Sequence, residues 1–536
     1  MLLTIVVGAV AQVTTSSMTG KVTLEGSGEE IIGATVVAVH EPSGTRYTAV
    51  TNMNGMFTIQ GMRPGGPYAV TVSYIGHQTK IVRNIQLQLA ENYNLPVWLA
   101  ENTNDLAEVV VTGKASKFSV EKTGAATNIN SDQILSMPTV SRDITDMTRL
   151  SPYGGKGMSF VGTDGRLGNF TVDGANFNNN FGLSSALPGG GNPISIESIE
   201  EMQVVISPYD VRQTDFIGGG VNAITKSGTN IFKGSAYIFH KNENMQGDAV
   251  DRVQIPSARE KSQNTTYGFT LGGPIIKNKL FFFVNGEMAK TPTVVNRWRG
   301  SSPDNPADAD RYISRTSNAD LETVSNFVKE RYGYDTGSWT SFPADEDNYK
   351  LLARLDWNIN DRHKLALRYN YTKDTAWNPA NRSSMDGGTA SSYDRMGQFS
   401  MAYANSMYSA VREVNSISFD LNSRLTDKLS NQLLATYTKM SDPKRDSPSA
   451  EFPFIDILDG NGQNYLSLGY ELFTWNNSVN NVVWNVKDDI TYYTGKHKLT
   501  AGLSYEHQMA DNQYMRNGTG YYRYASLNDF LTGASS

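Results

Sequence analysis

From about residue 233 onward the chain alternates apolar and polar residues in segments of roughly ten, and its connections alternate as well, a short turn and then a long polar excursion. The clearest case is the hairpin between Tyr349 and Tyr371. On its first strand Tyr349, Leu351, Ala353, Leu355 and Trp357 share one face, with Lys350, Arg354, Asp356 and Asn358 on the other. A turn at Asn360-Asp361-Arg362 follows. On the second strand Leu365, Leu367, Tyr369 and Tyr371 alternate with Ala366, Arg368, Asn370 and Thr372. The same grammar recurs around Lys277-Asn278-Lys279, Thr426-Asp427-Lys428 and Thr494-Gly495-Lys496. A soluble β-sandwich alternates too, but a compact domain rarely carries connections of about fifty residues at every second turn. The polar stretches 291–346 and 375–411 are of that kind. The pattern therefore predicts a transmembrane antiparallel β-barrel with its long connections outside. Trp357, beside a short turn, is expected in the aromatic girdle of the inner rim.

Composition closes off the alternatives. Lys+Arg 47 against Asp+Glu 53 leaves a net charge of −6, without the basic footprint of a nucleic-acid binder. The absence of cysteine removes disulfide scaffolds, thiolate metal sites and cysteine nucleophiles. Only 39% of residues are hydrophobic, and no run of about 18 apolar residues follows the N-terminus, which excludes a helical membrane bundle. Yet Tyr 27, Phe 21 and Gly 48 are high for so polar a chain, as expected where alternate residues face lipid and lumen.

Met1 to Gly8 is a short apolar run followed by Ala9-Val10-Ala11, and small residues at −3 and −1 predict signal cleavage between Ala11 and Gln12. The basic residues that usually precede such a run are missing. From Thr19 to Leu99, β-rich runs are separated by Pro42-Ser43-Gly44, Asn54-Gly55 and Arg63-Pro64-Gly65-Gly66-Pro67, a spacing that reads as a β-sandwich of about seven strands. Gly20-Lys21-Val22, Ile32 to Val36, Thr51 to Phe57 and Val72 to Gly76 resemble the carboxypeptidase-regulatory-like domain, with Asn52 and His77 as departures. No peptidase chemistry accompanies the resemblance, since His40 and His77 stand alone in sequence.

A polar stretch, Glu101 to Asp105, leads into Leu106-Ala107-Glu108-Val109-Val110-Val111-Thr112-Gly113. Three valines flanked by polar residues favour extended backbone, suited either to strand addition on another protein's sheet edge or to a core strand of the first domain. Three further motifs follow in order: Asn169 to Ala175 with Asp173-Gly174, Ile196 to Val205, and Gly218-Gly219-Gly220 to Gly228. Glycines there allow backbone to approach where a side chain would clash. Together these resemble the TonB-dependent outer-membrane receptors of the Bacteroidetes type. Ser207-Pro208-Tyr209-Asp210-Val211-Arg212-Gln213 is similar to the Oar-type subgroup. Gly154-Gly155-Lys156-Gly157 lacks the strand–turn–helix context of a phosphate loop and reads as a solvated loop.

The resemblance implies an all-β-dominated chain. Its expected parts are a signal peptide (1–11), the β-sandwich (12–100), a linker with the TonB box (101–113), an α+β plug domain (114–230) and the N-terminal part of a barrel (231–536). It also implies a Gram-negative outer-membrane location, TonB as a periplasmic partner engaging Leu106 to Gly113, lipid around the barrel and an extracellular ligand imported without a covalent step. Asp173, Gly174, Gly218, Gly219 and Gly220 would hold the plug's form. About nine strands follow the plug where the resembled family closes at twenty-two, so the chain is expected to be part of a longer receptor. An outer-membrane adhesin or structural receptor is the alternative. No catalytic residue, metal or cofactor is expected: the six histidines show no His-Glu-x-x-His spacing, and Asp304, Asp308 and Asp310 read as a solvated loop.

Overall fold

The computed structural model describes residues 13–533 except 102–108, 113–124, 138, 140–141, 179–186, 209, 214–215, 248, 251–252, 255–261, 382–394 and 495–496. Ala11, Gln12, Leu106, Ala107, Glu108, Gly113 and Tyr209 thus lie outside the described residues.

The N-terminal domain contains β1 (Ser16–Leu24), β2 (Thr35–His40), β3 (Thr45–Val50), β4 (Met56–Met62), β5 (Gly65–Ser73), β6 (Lys80–Leu87), β7 (Asn92–Asn94) and β8 (Val97–Leu99). β1 pairs with β4, β7 and β8, and a second sheet runs β3-β2-β5-β6 before ending in β9 (Val109–Thr112). Alternate residues from both sheets, among them Val22, Val36, Ala38, Phe57, Tyr68, Val70 and Val72, fill one apolar core, which is the arrangement of a sandwich. His40 is buried in it beside Tyr68, with Nδ1 2.6 Å from Ser43 Oγ. Burial, with Arg63 nearby, lowers its pKa to about 2 and keeps the ring neutral.

The next unit is a five-stranded sheet in the order β10-β13-β14-β11-β12, from β10 (Ala125–Asn130), β11 (Asn169–Val172), β12 (Ala175–Asn176), β13 (Ile199–Ser207) and β14 (Gly220–Thr225). Two short helices, α1 (Ser131–Ser136) and α2 (Ile144–Thr148), pack beside it. Asn130 and Gln133 form a reciprocal capping box at the start of α1, and Asp143 caps α2. The core beneath includes Ile134, Phe160, Phe170, Phe177, Ile199 and Val204.

The remaining strands make the wall and the connections that rise from it. In chain order they are β15 (Lys233–Asn242), the hairpin β16 (Ala249–Val250) and β17 (Val253–Gln254), β18 (Gln263–Ile276), β19 (Leu280–Val294), β20 (Arg299–Ser301), β21 (Ile313–Ser317), β22 (Pro343–Asn358), β23 (His363–Asn378), β24 (Met401–Ala402), β25 (Tyr408–Arg424), β26 (Leu429–Asp446), β27 (Phe454–Leu458), β28 (Asn464–Leu468), β29 (Ser478–Thr494), β30 (His497–Gln513) and β31 (Tyr521–Tyr524). The long ones form a nine-stranded antiparallel sheet, β15-β18-β19-β22-β23-β25-β26-β29-β30, each strand neighbouring the next long strand in sequence. Its outward residues are mostly apolar and aromatic and its inward ones mostly polar, with Leu352, Val414, Leu434, Met440 and Val483 among the buried apolar exceptions. Leu367 (38% exposed) and Tyr369 (36%) look out, while Arg368 (3%) and Asn370 (1%) look in.

The long connections, read from sequence as polar excursions, fold into a lobe of their own. It joins α3 (Asn318–Tyr332), α4 (Leu527–Thr532) and the sheet β24-β28-β27-β31. Ser317 caps α3, Leu321, Val324 and Val328 form its buried face, and Gly333 ends it in the left-handed conformation. The lobe's core also takes Phe342, Tyr403, Leu466 and Phe530. Asp308 serves the loop itself, its carboxylate accepting from the Asp310 and Arg311 N–H groups.

Candidate functional site

The five-stranded unit sits against the polar face of the wall, and the contact centres on Asp173 and Gly174. These residues turn the chain between β11 and β12, both with positive φ (45° and 77°). Asp173 accepts the Thr225 N–H (3.0 Å) and the Thr225 hydroxyl (2.7 Å), tying two plug strands together. The same carboxylate faces Arg354 Nη1 at 3.3 Å and Arg368 Nε at 3.5 Å. A Cβ on Gly174 would lie 2.6 Å from a terminal methyl of Leu434 on β26, which would have to move, and the φ of 77° itself favours glycine.

Arg354 and Arg368 are directly opposite each other on β22 and β23. Like charges so placed repel, and both side chains are buried. Asp356 pairs with Arg354 at 2.9 Å, and Ser416 and Ser418 accept from Arg368. Asp173 is the acid that spans both arginines. The wall's charge is thus complemented by the plug, beside which Val414, Met440 and Val483 of the wall pack into the plug's apolar core.

Other contacts distribute the seating. Lys350 and Glu287 form a buried pair at 2.9 Å, and Glu287 also accepts from Ser195 (2.7 Å) and Tyr237 (2.9 Å). The Pro193 carbonyl accepts from Asn370 and Thr372. On the side of the long connections, a cavity of ≈ 970 Å³ lies between plug and wall, lined by Arg142, Asp143, Glu197, Glu346 and Asp374 among others. Arg142 pairs with Glu197 at 3.1 Å and stands 3.8 Å from the Phe239 ring centre. Burial raises the pKa of Asp143 despite the N–H and hydroxyl of Thr145 that bond to it.

The N-terminal domain meets the opposite rim, where the short turns are. Asn358 Nδ2 donates to Thr45 Oγ1 (2.9 Å), Arg424 donates to the Thr48 carbonyl (2.6 Å), and the Arg63 guanidinium reaches the Ser227 and Gly228 carbonyls. Glu201 of β13 joins the domain to the plug: it accepts the Leu89 N–H (3.0 Å) and Asn128 Nδ2 (2.7 Å). Asn128 and Gln203 in turn donate to the Leu89 carbonyl. Burial pushes the Glu201 pKa up to about 7.

Of the residues singled out in sequence, Asp173 and Gly174 are at the plug–wall contact. Gly218 (φ 100°) and Gly219 instead shape the plug internally: a Cβ would lie 2.4 Å from Thr163 Oγ1 at the first and 2.6 Å from the Phe160 ring at the second. Gly220 begins β14 between Asn169 and Val205. Val109–Thr112 pair with β6, apart from this cluster. The reading missed Glu201, Glu287 and the pairing of Arg354 and Arg368 with the plug. The polar face of Arg354 and Arg368 followed from the alternation, but their partners did not, and Glu201, in a strand buried on both faces, carried no such signal. Among the described residues no group of three or more His, Asp or Glu is placed to hold a metal ion.

Two family models match the wall and the N-terminal domain. Residues 224–536 match the family described as outer membrane beta barrel domain, and residues 17–100 match the carboxypeptidase regulatory-like domain. The TonB-dependent transporter Oar of Myxococcus xanthus is 24% identical over 389 residues, 68% of this chain and 34% of that protein. Similar solved structures include the outer membrane transporter YddB from Escherichia coli (11% identity, TM-score 0.48, 72% of this chain and 48% of that one). Another is the siderophore receptor PirA from Acinetobacter baumannii (16% identity, TM-score 0.42, 72% and 48%). The chain thus spans about a third of the curated relative's length and about half of each solved chain's.

Proposed function

This chain belongs to the outer-membrane β-barrel family, with its place in the Gram-negative outer membrane, and from that premise we propose that it is a TonB-dependent receptor that takes up an extracellular ligand. The observation that carries the reading is a separate folded plug held on the polar face of the wall by Asp173 across Arg354 and Arg368. The contact is mixed: beside these ion pairs and hydrogen bonds, Val414, Met440 and Val483 of the wall pack into the plug's apolar core, so release must break the polar contacts and expose that small patch. In this reading the ligand enters from the side of the long connections, where the cavity lies. Leu106 to Gly113 are the coupling segment taken by TonB through strand addition, and force on that segment loosens the plug. No covalent chemistry is involved.

The test is binding of a purified periplasmic TonB domain to a peptide spanning Asn104 to Lys114, beside its Val110→Pro form. Binding that the proline abolishes is expected, because proline removes a strand donor. Failure of both peptides to bind would transfer the reading to an adhesin, which the folded lobe of α3, α4 and β24-β28-β27-β31 favours as a ready-made outer surface.

A further inference from the structure

The coupling segment is not free of the N-terminal domain. Val109 lies opposite Lys80, Val110 opposite Ile81, Val111 opposite Val82 and Thr112 opposite Arg83, in parallel with β6. β9 is the last strand of the sheet β3-β2-β5-β6-β9, and among the described residues no strand pairs with its other side. A strand bonded along one edge leaves the N–H and C=O groups of the other edge available. β6, for its part, is tied onward: two residues past its end, Leu89 is bonded to Glu201 and Gln203 of the plug through both its N–H and its carbonyl.

We propose that the N-terminal domain presents the coupling segment: β6 holds Val109–Thr112 extended with one edge open, and the partner's strand adds there as the sixth strand of the domain's sheet. The inference rests on the reading of this segment as the TonB-binding element and gives the N-terminal domain a role in it. The physical reason is preorganisation. A linker that is disordered before binding must be ordered by the partner, whereas a strand already laid on a sheet has lost that freedom beforehand and binds more tightly. The partner's strand and the plug-tied β6 then flank the same four residues.

The native chain contains no cysteine, so a designed pair is the only thiol pair present. Ile81→Cys with Val110→Cys joins direct partners, neighbouring strands being about 4.8 Å apart, within disulfide reach. Ile81→Cys with Thr112→Cys is two residues out of register, roughly 8 Å between Cα atoms and beyond that reach. Both full-chain variants in detergent micelles, the native chain and the Asn104–Lys114 peptide are titrated with the periplasmic TonB domain, the variants oxidised and reduced.

The first pair is expected to cross-link and the second not. The native chain is expected to bind at least about tenfold more tightly than the peptide, and the oxidised first pair to keep the affinity of its reduced form within about threefold. Failure to cross-link, or equal affinity of peptide and native chain, overturns presentation and leaves the coupling reading intact. Loss of binding on oxidation with recovery on reduction overturns it as well, since β6 and the partner would then compete for one edge. Absence of binding by peptide and chain alike removes the coupling reading itself and the inference with it.

Discussion

β5 of the N-terminal domain and β23 of the wall share a period of two and differ in which half of it is hidden. In β5 the buried residues are Tyr68, Val70 and Val72; in β23 they are Arg368, Asn370 and Thr372, while Leu367 and Tyr369 face outward. Alternation therefore reports a strand with two unlike faces, and the identity of the buried half reports the medium outside. Water surrounds the sandwich, so its apolar residues close on one another. Lipid surrounds the wall, so its apolar residues need no shelter and its polar ones do.

The harshest way to break the comparison is to put a charge in each hidden half. Val70→Asp buries an unpaired carboxylate in the dry sandwich core and should cost about 4 kcal/mol or more, enough to unfold the domain at room temperature. Limited proteolysis should then cut within residues 16–99 and spare the wall. Intact domain and wall together would mean that the core beneath β5 is wetter than its packing indicates.

Next in size is the plug–wall contact. Asp173→Ala strips the shared acid from two buried, opposed arginines and should destabilise plug seating by about 3–5 kcal/mol. Asp173→Asn keeps an acceptor for the Thr225 N–H but not the charge, and should fall between. Urea-dependent protease access to the plug would rank the three. An alanine variant as resistant as the native protein would refute the view that Asp173 neutralises the Arg354–Arg368 pair.

A subtler comparison holds exposure nearly constant and varies only the medium. Val50 in the sandwich is 43% exposed and Ile417 in the wall 50%. Val50→Arg faces water and should change stability by less than about 0.5 kcal/mol. Ile417→Arg faces lipid and should cost about 2–4 kcal/mol, according to its depth in the bilayer. Equilibrium unfolding in lipid vesicles measures the second and a thermal melt the first. Equal small effects would remove lipid from the outer face of β25.

How far the sequence led can be argued from the same residues. The hairpin from Tyr349 to Tyr371 was readable because its determinant is local: each residue's face follows from its neighbours two positions away. Asp173 and Arg354 are 181 residues apart, and nothing local tells a buried arginine which acid it meets. α3 was within reach. Ser317 before Asp320, Leu321, Val324 and Val328 at helical spacing, and Gly333 beyond the end are ordinary boundary signals, set within a stretch, 291–346, whose mean composition is polar. The pairing of β9 with β6 matches one of the two readings of Val109–Val111, a strand of the first domain, but which edge it joins had no such signal. A parallel edge strand of four residues is specified by the sheet it joins, and Val-Val-Val suits many edges.

The smallest effect, and the one that distinguishes how the two regions are joined, is a pH dependence at Glu201. This carboxyl is 4% exposed and accepts from Leu89 and Asn128, with Glu200 and Glu91 as the acidic neighbours that add to the cost of its charge. Burial raises its pKa from 4.5 to about 7. The folded state therefore holds the proton more tightly than the unfolded state does. The resulting stabilisation is complete below about pH 4.5 and is lost as pH rises through about 7. With 1.36 kcal/mol per pH unit, the ceiling is about 3 kcal/mol. The junction between the N-terminal domain and the plug should tighten from pH 8 to pH 5, read as a larger protection factor at the Leu89 amide, the exchange rate being normalised to the intrinsic rate at each pH. Glu201→Gln, neutral at every pH, should flatten that profile while leaving the Asp173 contact as it was. A profile unchanged by the glutamine would assign the pH response to another group and leave Glu201 as a hydrogen-bond acceptor only.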